Sequence, residues 1–483
     1  MKTAGAAWAT ASLALFFLAA PACAQTPEEG ETTNNPFPDP IETEEGLVVV
    51  DVVEFAEVPD SDGEAARMML LVDEPGTGRM FVNDMRGPLH TVSYDGSQVE
   101  LYVDIDEPQW GLGNVDYSGR ERGFQSFALH PEFGQEGAPG YGRFYTWTDV
   151  EDTEPEADFR PDGGDNVHHT VLHEWVAENP EASAYDGGLP RELMRFEQPF
   201  GNHNAGLIAF RPTAVPGDED YGLLYIGSAD GGSGGDPLNL SLDMSQGFGK
   251  ILRIDPLGSD SRNGAYGIPA TNPFVGESDN GILEEIYASG MRNPQRFGWD
   301  PANENLFMAD IGQNIVEKVS LVPPGGNLGW NEWEGSYRYL ERSAVSLEDP
   351  RSDPAVTYPA VEYGRYDPLM DDRVAVTGVH VFRGGAHPVL EGRVLFADFV
   401  VGEILHFDAD DIPEGGTEGI RRVLLRHEGG EPQRFLDLIQ EKNEEQGRDP
   451  SPRTDIRFGT GPDHRFFLLN KHDGVIREVL PGG

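Results

Sequence analysis

Apolar positions along this chain recur in a two-strand phrase. A short hydrophobic run is followed by a turn bearing Pro, Asp or Gly, and then by a second run rich in aromatics. Six copies are legible: MMLLVDEPGTGRMFVND from Met68, FALHPEFGQEGAPGYGRFYTWTD from Phe127, LIAFRPTAVPGDEDYGLLYIGSAD from Leu207, RFGWDPANENLFMADIG from Arg296, VHVFRGGAHPVLEGRVLFADF from Val379 and DIRFGTGPDHRFFLLNK from Asp455. Short apolar runs bounded by such turns read as strands. The copies begin 59 to 89 residues apart, room for four strands and their loops in each. Helical periodicity is carried only by RFLDLIQEKNEEQ from Arg434. The pattern predicts an all-β protein, a six-bladed β-propeller of four-stranded antiparallel blades over residues 46–483, because radial repetition protects edges that one open sheet would expose. Two β-sandwich domains are the alternative, but no linker-like shift in composition divides residues 47–481, and sixty glycines suit many tight turns. LVVVDVVEFAEV from Leu47 and VIREVL from Val475 are the strands that would close the ring by sharing a blade.

Residues 1–24 carry Lys2, an apolar run from Ala4 to Ala20 and the small-residue sequence Pro21-Ala22-Cys23-Ala24. That is the form of a secretory signal peptide cleaved after Ala24, and it implies a secreted or periplasmic protein; a lipoprotein acylated at Cys23 is the alternative. Cleavage would remove the only cysteine, which excludes thiolate catalysis and disulfides. Residues 25–45 are polar and acidic with little to bury, so an unstructured leader is expected there. The formal charge of −49 repels phosphate, which argues against nucleic acid or anionic lipid as a partner. No further apolar run reaches membrane-spanning length.

Candidate chemistry sits beside the strand pairs, at loop ends where sheet proteins place their sites. GNHNAG directly precedes LIAF, and its His203 is placed to act as a general base, with Asn202 beside it. In Arg292-Asn293-Pro294, the proline forces Asn293 into an extended conformation and aims a guanidinium and an amide from one loop, a pair suited to a ligand bearing carboxylates. The bland reading is that Asn293 caps the turn while Arg292 pairs with an acid. Gly312, Gln313 and Asn314 form a turn whose carbonyls, with Asp310, are hard oxygen donors. Asp230 opens the glycine-rich DGGSGGD loop, which either binds calcium or sugar hydroxyls or is plain turn. Trp330, in WNEW, either walls a sugar pocket or is core. His168, His169 and Glu174 lack zinc-site spacing and are expected on a loop.

Together, GNHNAG and the Glu285–Gly335 stretch with its RNP and GQN turns resemble the glucose/sorbosone dehydrogenase family, the soluble quinoprotein sugar dehydrogenases, over roughly Leu47 to Pro481. The resemblance implies pyrroloquinoline quinone and Ca2+ as cofactors, a small-molecule sugar or other alcohol as substrate, and an external electron acceptor. It implies His203 as base, Arg292 as electrostatic stabiliser, Asn293, Arg292, Arg453 and Arg457 on the quinone, Asn202, Asp230 and Trp330 near the sugar, and main-chain oxygens of Gly312 and Gln313 on calcium. Two departures stand out. Asn202 replaces the Asp that precedes the histidine in well-studied members, and Val400 and Val401 replace a basic residue that pairs with the quinone. Two rival readings stay open on these residues: a calcium-dependent hydrolase of the lactonase kind, and a binding propeller that has lost its quinone.

Overall fold

The computed structural model describes residues 31–74 and 76–482; the segment expected to be a signal peptide lies outside them. All six phrases fold as antiparallel strand pairs, each opening a set of four strands. The first set runs Met68–Glu74, Arg79–Asp84, Pro88–Ser93, Val99–Asp104, and the second Phe124–Leu129, Arg143–Val150, His168–Val176, Arg191–Gln198. The third is Ala205–Phe210, Leu224–Ser228, Lys250–Ile254, Ile286–Ser289, and the fourth Pro294–Trp299, Leu306–Asp310, Glu317–Leu321, Val361–Tyr363. The fifth is Val376–Val381, Arg393–Asp398, Ile404–Asp408, Arg421–His427. The sixth joins both ends of the chain: Val48–Glu57 pairs with Val475–Val479, which continues through Phe466–Leu469 to Arg457–Thr460. Parallel pairing of Val48–Glu57 with Arg421–His427, and of Gly459 with Leu71, makes sets five, six and one a continuous twelve-stranded sheet.

The first strands of the six sets touch in sequence, and the last touches the first, so they line a closed ring. Apolar faces pack between neighbouring sets. Trp147 meets Phe196 edge-on at 5.4 Å, and both lie in a cluster with Phe248 and Leu252 of the third set. Arg296 leaves the first strand of the fourth set and crosses the ring to the opposite wall, where its Nη2 donates to the Met69 carbonyl at 2.9 Å. Among the described residues the one α-helix, Phe435–Glu445, coincides with the periodic segment and buries Phe435, Leu438 and Ile439.

Two expectations are corrected. Residues 31–45 are not an unstructured leader: Thr32–Thr33 pairs with Ala344–Ser346, Ile41 is buried with its N–H on Asp367 at 2.7 Å, and Phe37 packs edge-on against Tyr337. Two apolar side chains and one strand pair suffice to dock a segment whose composition is otherwise that of a disordered tail. His168, His169 and Glu174 lie not on a loop but in the strand His168–Val176, buried, with Glu174 ion-paired to Arg143 at 2.8 Å and Arg191 at 3.0 Å. The pairing strand also shows a small additional sheet inserted after Glu317–Leu321, made of Trp333–Glu334, Tyr337–Glu341, Ala344–Ser346 and Thr32–Thr33.

Candidate active site

Loops preceding the first strands of the second, third and fourth sets converge with loops following the second strands of the third, fourth and sixth. The contacts that join them run from Glu121 to His203, from His203 to Arg292 and Asp230, from Arg292 to Gln313, and from Lys471 to the carbonyl of Arg120. Among the described residues no helix is long and apolar enough to cross a membrane, and no group of three or more His, Cys, Asp or Glu side chains comes together to hold a metal ion.

His203 is buried and held at φ +53°, a backbone conformation that costs free energy for a residue with a side chain. Three neighbours hold it there. Its N–H donates to Glu121 Oε2 at 2.9 Å, Nδ1 lies 2.8 Å from Asp230 Oδ1, and Nε2 lies 2.9 Å from Arg292 Nη2. A guanidinium can only donate and a carboxylate only accepts, so the network fixes the tautomer, with the proton on Nδ1 and the lone pair on Nε2. Asp230 is nearly fully buried and satisfied on both oxygens: Oδ1 also accepts the Gly232 N–H at 2.9 Å, and Oδ2 accepts the Trp330 indole N–H at 3.0 Å. The carboxylate that Asn202 lacks is therefore supplied from the next loop. Asn202 instead accepts the Ser233 N–H at 3.0 Å through Oδ1 and ties the two loops together.

Trp330 is completely buried, with Tyr339 tilted against it at 4.9 Å, so it props Asp230 from behind and offers no face for sugar stacking. Arg292 is anchored by Nη1 to the Ile311 carbonyl at 3.1 Å, and its guanidinium lies 5.9 Å from the Trp330 ring. The N–H groups of Arg292 and Asn293 both donate to Asp310, which also pairs with the buried Lys318 at 3.0 Å. Asp310 is thus occupied by the RNP turn and is not a cation ligand. The side chain of Asn293 accepts from Gln295 at 3.4 Å.

The Gly312–Gln313 turn is tightly held. Gly312 N–H donates to Glu317 at 3.2 Å, and the N–H groups of Gln313, Asn314, Ile315 and Val316 all donate to Glu334 Oε1, at 2.8, 3.1, 3.0 and 3.1 Å. Among the described residues no donor reaches the carbonyls of Gly312 or Gln313. Two main-chain oxygens free of hydrogen bonds fit a hard divalent cation. Burial pushes the Glu317 carboxyl up to about 7.

A polycarboxylate quinone needs cations, and the fit is decided on the sixth set. Arg453 pairs with Asp455 at 2.6 Å and lies over Phe399, so its charge is already neutralised. Val400 and Val401 are buried and give only their N–H groups, both to Asp398. Arg457 is buried beside Phe399 with Nε unpartnered. Lys471, absent from the sequence reading, is buried with its ammonium on Met85 Sδ and the Arg120 carbonyl and no carboxylate in ion-pair range. Burial first, then the Arg457 charge, holds the Lys471 ammonium well below its ordinary range; Arg296 is depressed in the same way. Burying unpaired cations costs several kcal/mol each, so an anion brought to this end of the ring would relieve that cost and restore the charge on Lys471. Its only sequence signal was a lone lysine after an aromatic strand.

The family described as Glucose / Sorbosone dehydrogenase matches residues 67–429. The HIPL1 protein of Arabidopsis thaliana is 28% identical over 458 residues, 87% of this chain, and the chain spans 62% of that relative's length. Of solved structures, the PQQ-bound aldose sugar dehydrogenase (Adh) of Streptomyces coelicolor aligns with a TM-score of 0.53 at 20% identity, covering 89% of this chain and 98% of that one. The apo soluble aldose sugar dehydrogenase (Asd) of Escherichia coli gives 0.59 at 15%, covering 90% and 100%. At these identities the structural likeness carries the fold.

Proposed function

The chain belongs to the glucose/sorbosone dehydrogenase family, and on that premise we propose that it is a secreted or periplasmic oxidoreductase of aldose-like sugars or other alcohols, with pyrroloquinoline quinone and calcium as cofactors. We read the six strand sets as the six blades of one propeller over residues 46–483, a reading supported by the closed ring of first strands and by the shared sixth set.

The observation that carries the proposal is the clamp on His203, with Asp230 on one ring nitrogen and Arg292 on the other. Oxidation removes a hydride and a proton from the alcohol; the bound quinone supplies the two-electron sink. His203 accepts the hydroxyl proton at Nε2, and Asp230 holds the Nδ1 proton and stabilises the imidazolium that forms. Arg292 Nη2 now donates to Nε2, so an incoming hydroxyl replaces that donor while Nη1 keeps the guanidinium on the Ile311 carbonyl. The displaced guanidinium then faces the charge that develops during oxidation. Arg457 and Lys471 are the residues to hold quinone carboxylates, and the Gly312 and Gln313 carbonyls are those to face calcium.

The test is reconstitution with quinone and calcium, followed by dye reduction against a sugar panel. Wild type is expected to take up quinone, seen by its absorbance, and to reduce dye. His203→Asn should lose about 10² to 10⁴ in turnover with quinone uptake unchanged. No quinone uptake, or lactone turnover without quinone, overturns the proposal, the latter in favour of a hydrolase.

A further inference from the structure

Glu334 does something that its place in the chain does not announce. It lies in the small additional sheet, fully buried, and one of its oxygens collects four consecutive backbone N–H groups from Gln313 to Val316. Successive amides closing on one anion form a nest, and here the anion belongs to the protein. Its other oxygen, Oε2, is buried with no partner. The charge therefore acts almost wholly through the turn.

Peptide dipoles oriented by a negative charge on their N–H side present more negative carbonyls on the other side. The carbonyls so polarised run from Gly312 to Ile315 and accept no hydrogen bond from a described residue; Gly312 and Gln313 are the two read above as facing calcium. We infer that Glu334 is the positioning residue of the cation site: it fixes the turn so that the Gly312 and Gln313 carbonyls face the axial mouth, and it strengthens them as calcium ligands. The inference rests on the calcium reading above. It also gives the additional sheet a role, since the strand that carries Glu334 follows Trp330, the prop behind Asp230.

The test measures the rise in melting temperature on going from chelator to saturating calcium, with the calcium Kd by titration calorimetry, on quinone-free protein. Wild type is expected to show a rise, because calcium binds the native state preferentially. Glu334→Gln keeps the shape and removes the charge; it should weaken calcium at least tenfold and shrink the rise. Glu362→Gln is the control, a buried carboxylate that accepts the Ser336 N–H at 2.7 Å and none of the turn's N–H groups. It should lower melting in chelator and calcium alike and keep the rise. No rise in wild type sinks the calcium reading; a full rise and unchanged Kd in Glu334→Gln sink the inference alone. Should Glu334→Gln not fold, hydrogen exchange in wild type decides: amides of Gln313 to Val316 protected in chelator support a prebuilt turn, and free exchange there overturns it.

Discussion

Replacing Asp230 by Asn perturbs the clamp on His203 without changing its shape. The carboxylate accepts three hydrogen bonds, from His203 Nδ1 at 2.8 Å, Gly232 N at 2.9 Å and Trp330 Nε1 at 3.0 Å. An amide accepts on one side only, so in either orientation an N–H group faces another donor. Turning the amide nitrogen towards Trp330 sacrifices one bond, and turning it towards Oδ1's partners sacrifices two, so the first orientation should prevail. His203 then keeps a neutral acceptor and loses the charged one. A hydrogen bond to a charged group contributes about 1.5 to 3 kcal/mol, which at about 1.4 kcal/mol per decade becomes roughly a 10- to 150-fold loss in kcat/KM. The assay is steady-state dye reduction by the reconstituted enzyme, run on Asp230→Asn, His203→Asn and the double variant. Because Asp230 acts through His203, adding Asp230→Asn to His203→Asn should change little. Wild-type activity in Asp230→Asn, or losses that multiply in the double variant, would refute the reasoning.

Gly312→Ala would set a Cβ 1.9 Å from the Val316 carbonyl oxygen, so the turn must open; a loss of roughly 1 to 3 kcal/mol is expected, read as a lower urea midpoint at unchanged slope. For Glu317, burial raises the native carboxyl to about 7 against an ordinary value of 4.5. The native state therefore binds the proton more tightly, and the group's contribution is most favourable below pH 4.5 and is lost as pH rises to about 7. Across that window wild type should lose roughly 3 kcal/mol relative to Glu317→Gln. Parallel stability curves for the two proteins between pH 4.5 and 7 would count against this.

What the sequence discloses is what neighbouring residues decide. Strand pairs joined by one turn are local, so all six phrases read correctly as strand pairs, as did the helix at Phe435–Glu445 and the pairing of the chain's ends. The RNP and GQN segments were legible as turns at strand ends because proline and glycine punctuate them. The partners of those turns were not. Asp230 reaches His203 across 27 residues, where the third set pairs Ala205 with Ser228, and Glu334 reaches Gln313 across 21, from the sheet inserted in the fourth set. Trp330 read equally well as pocket wall or core until Asp230 was seen on its indole. Lys471 gave no periodicity to mark it, because its role is set by what it lacks, a carboxylate. Arg453 was misread for the opposite reason: Asp455, two residues on, neutralises it.

Arg296 has a kinetic consequence. Its guanidinium spans from the fourth set to the Met69 carbonyl of the first, across the ring that the first strands line, and would obstruct passage along the axis away from His203. On the proposed reaction, sugar, oxidised product and electron acceptor would then share one face and take turns there. Such traffic gives ping-pong kinetics, parallel double-reciprocal lines, and inhibition by high concentrations of either reactant occupying the wrong redox form of the enzyme. A rear exit would relieve that competition, and substitution of Arg296 by a small residue is the change that would open one.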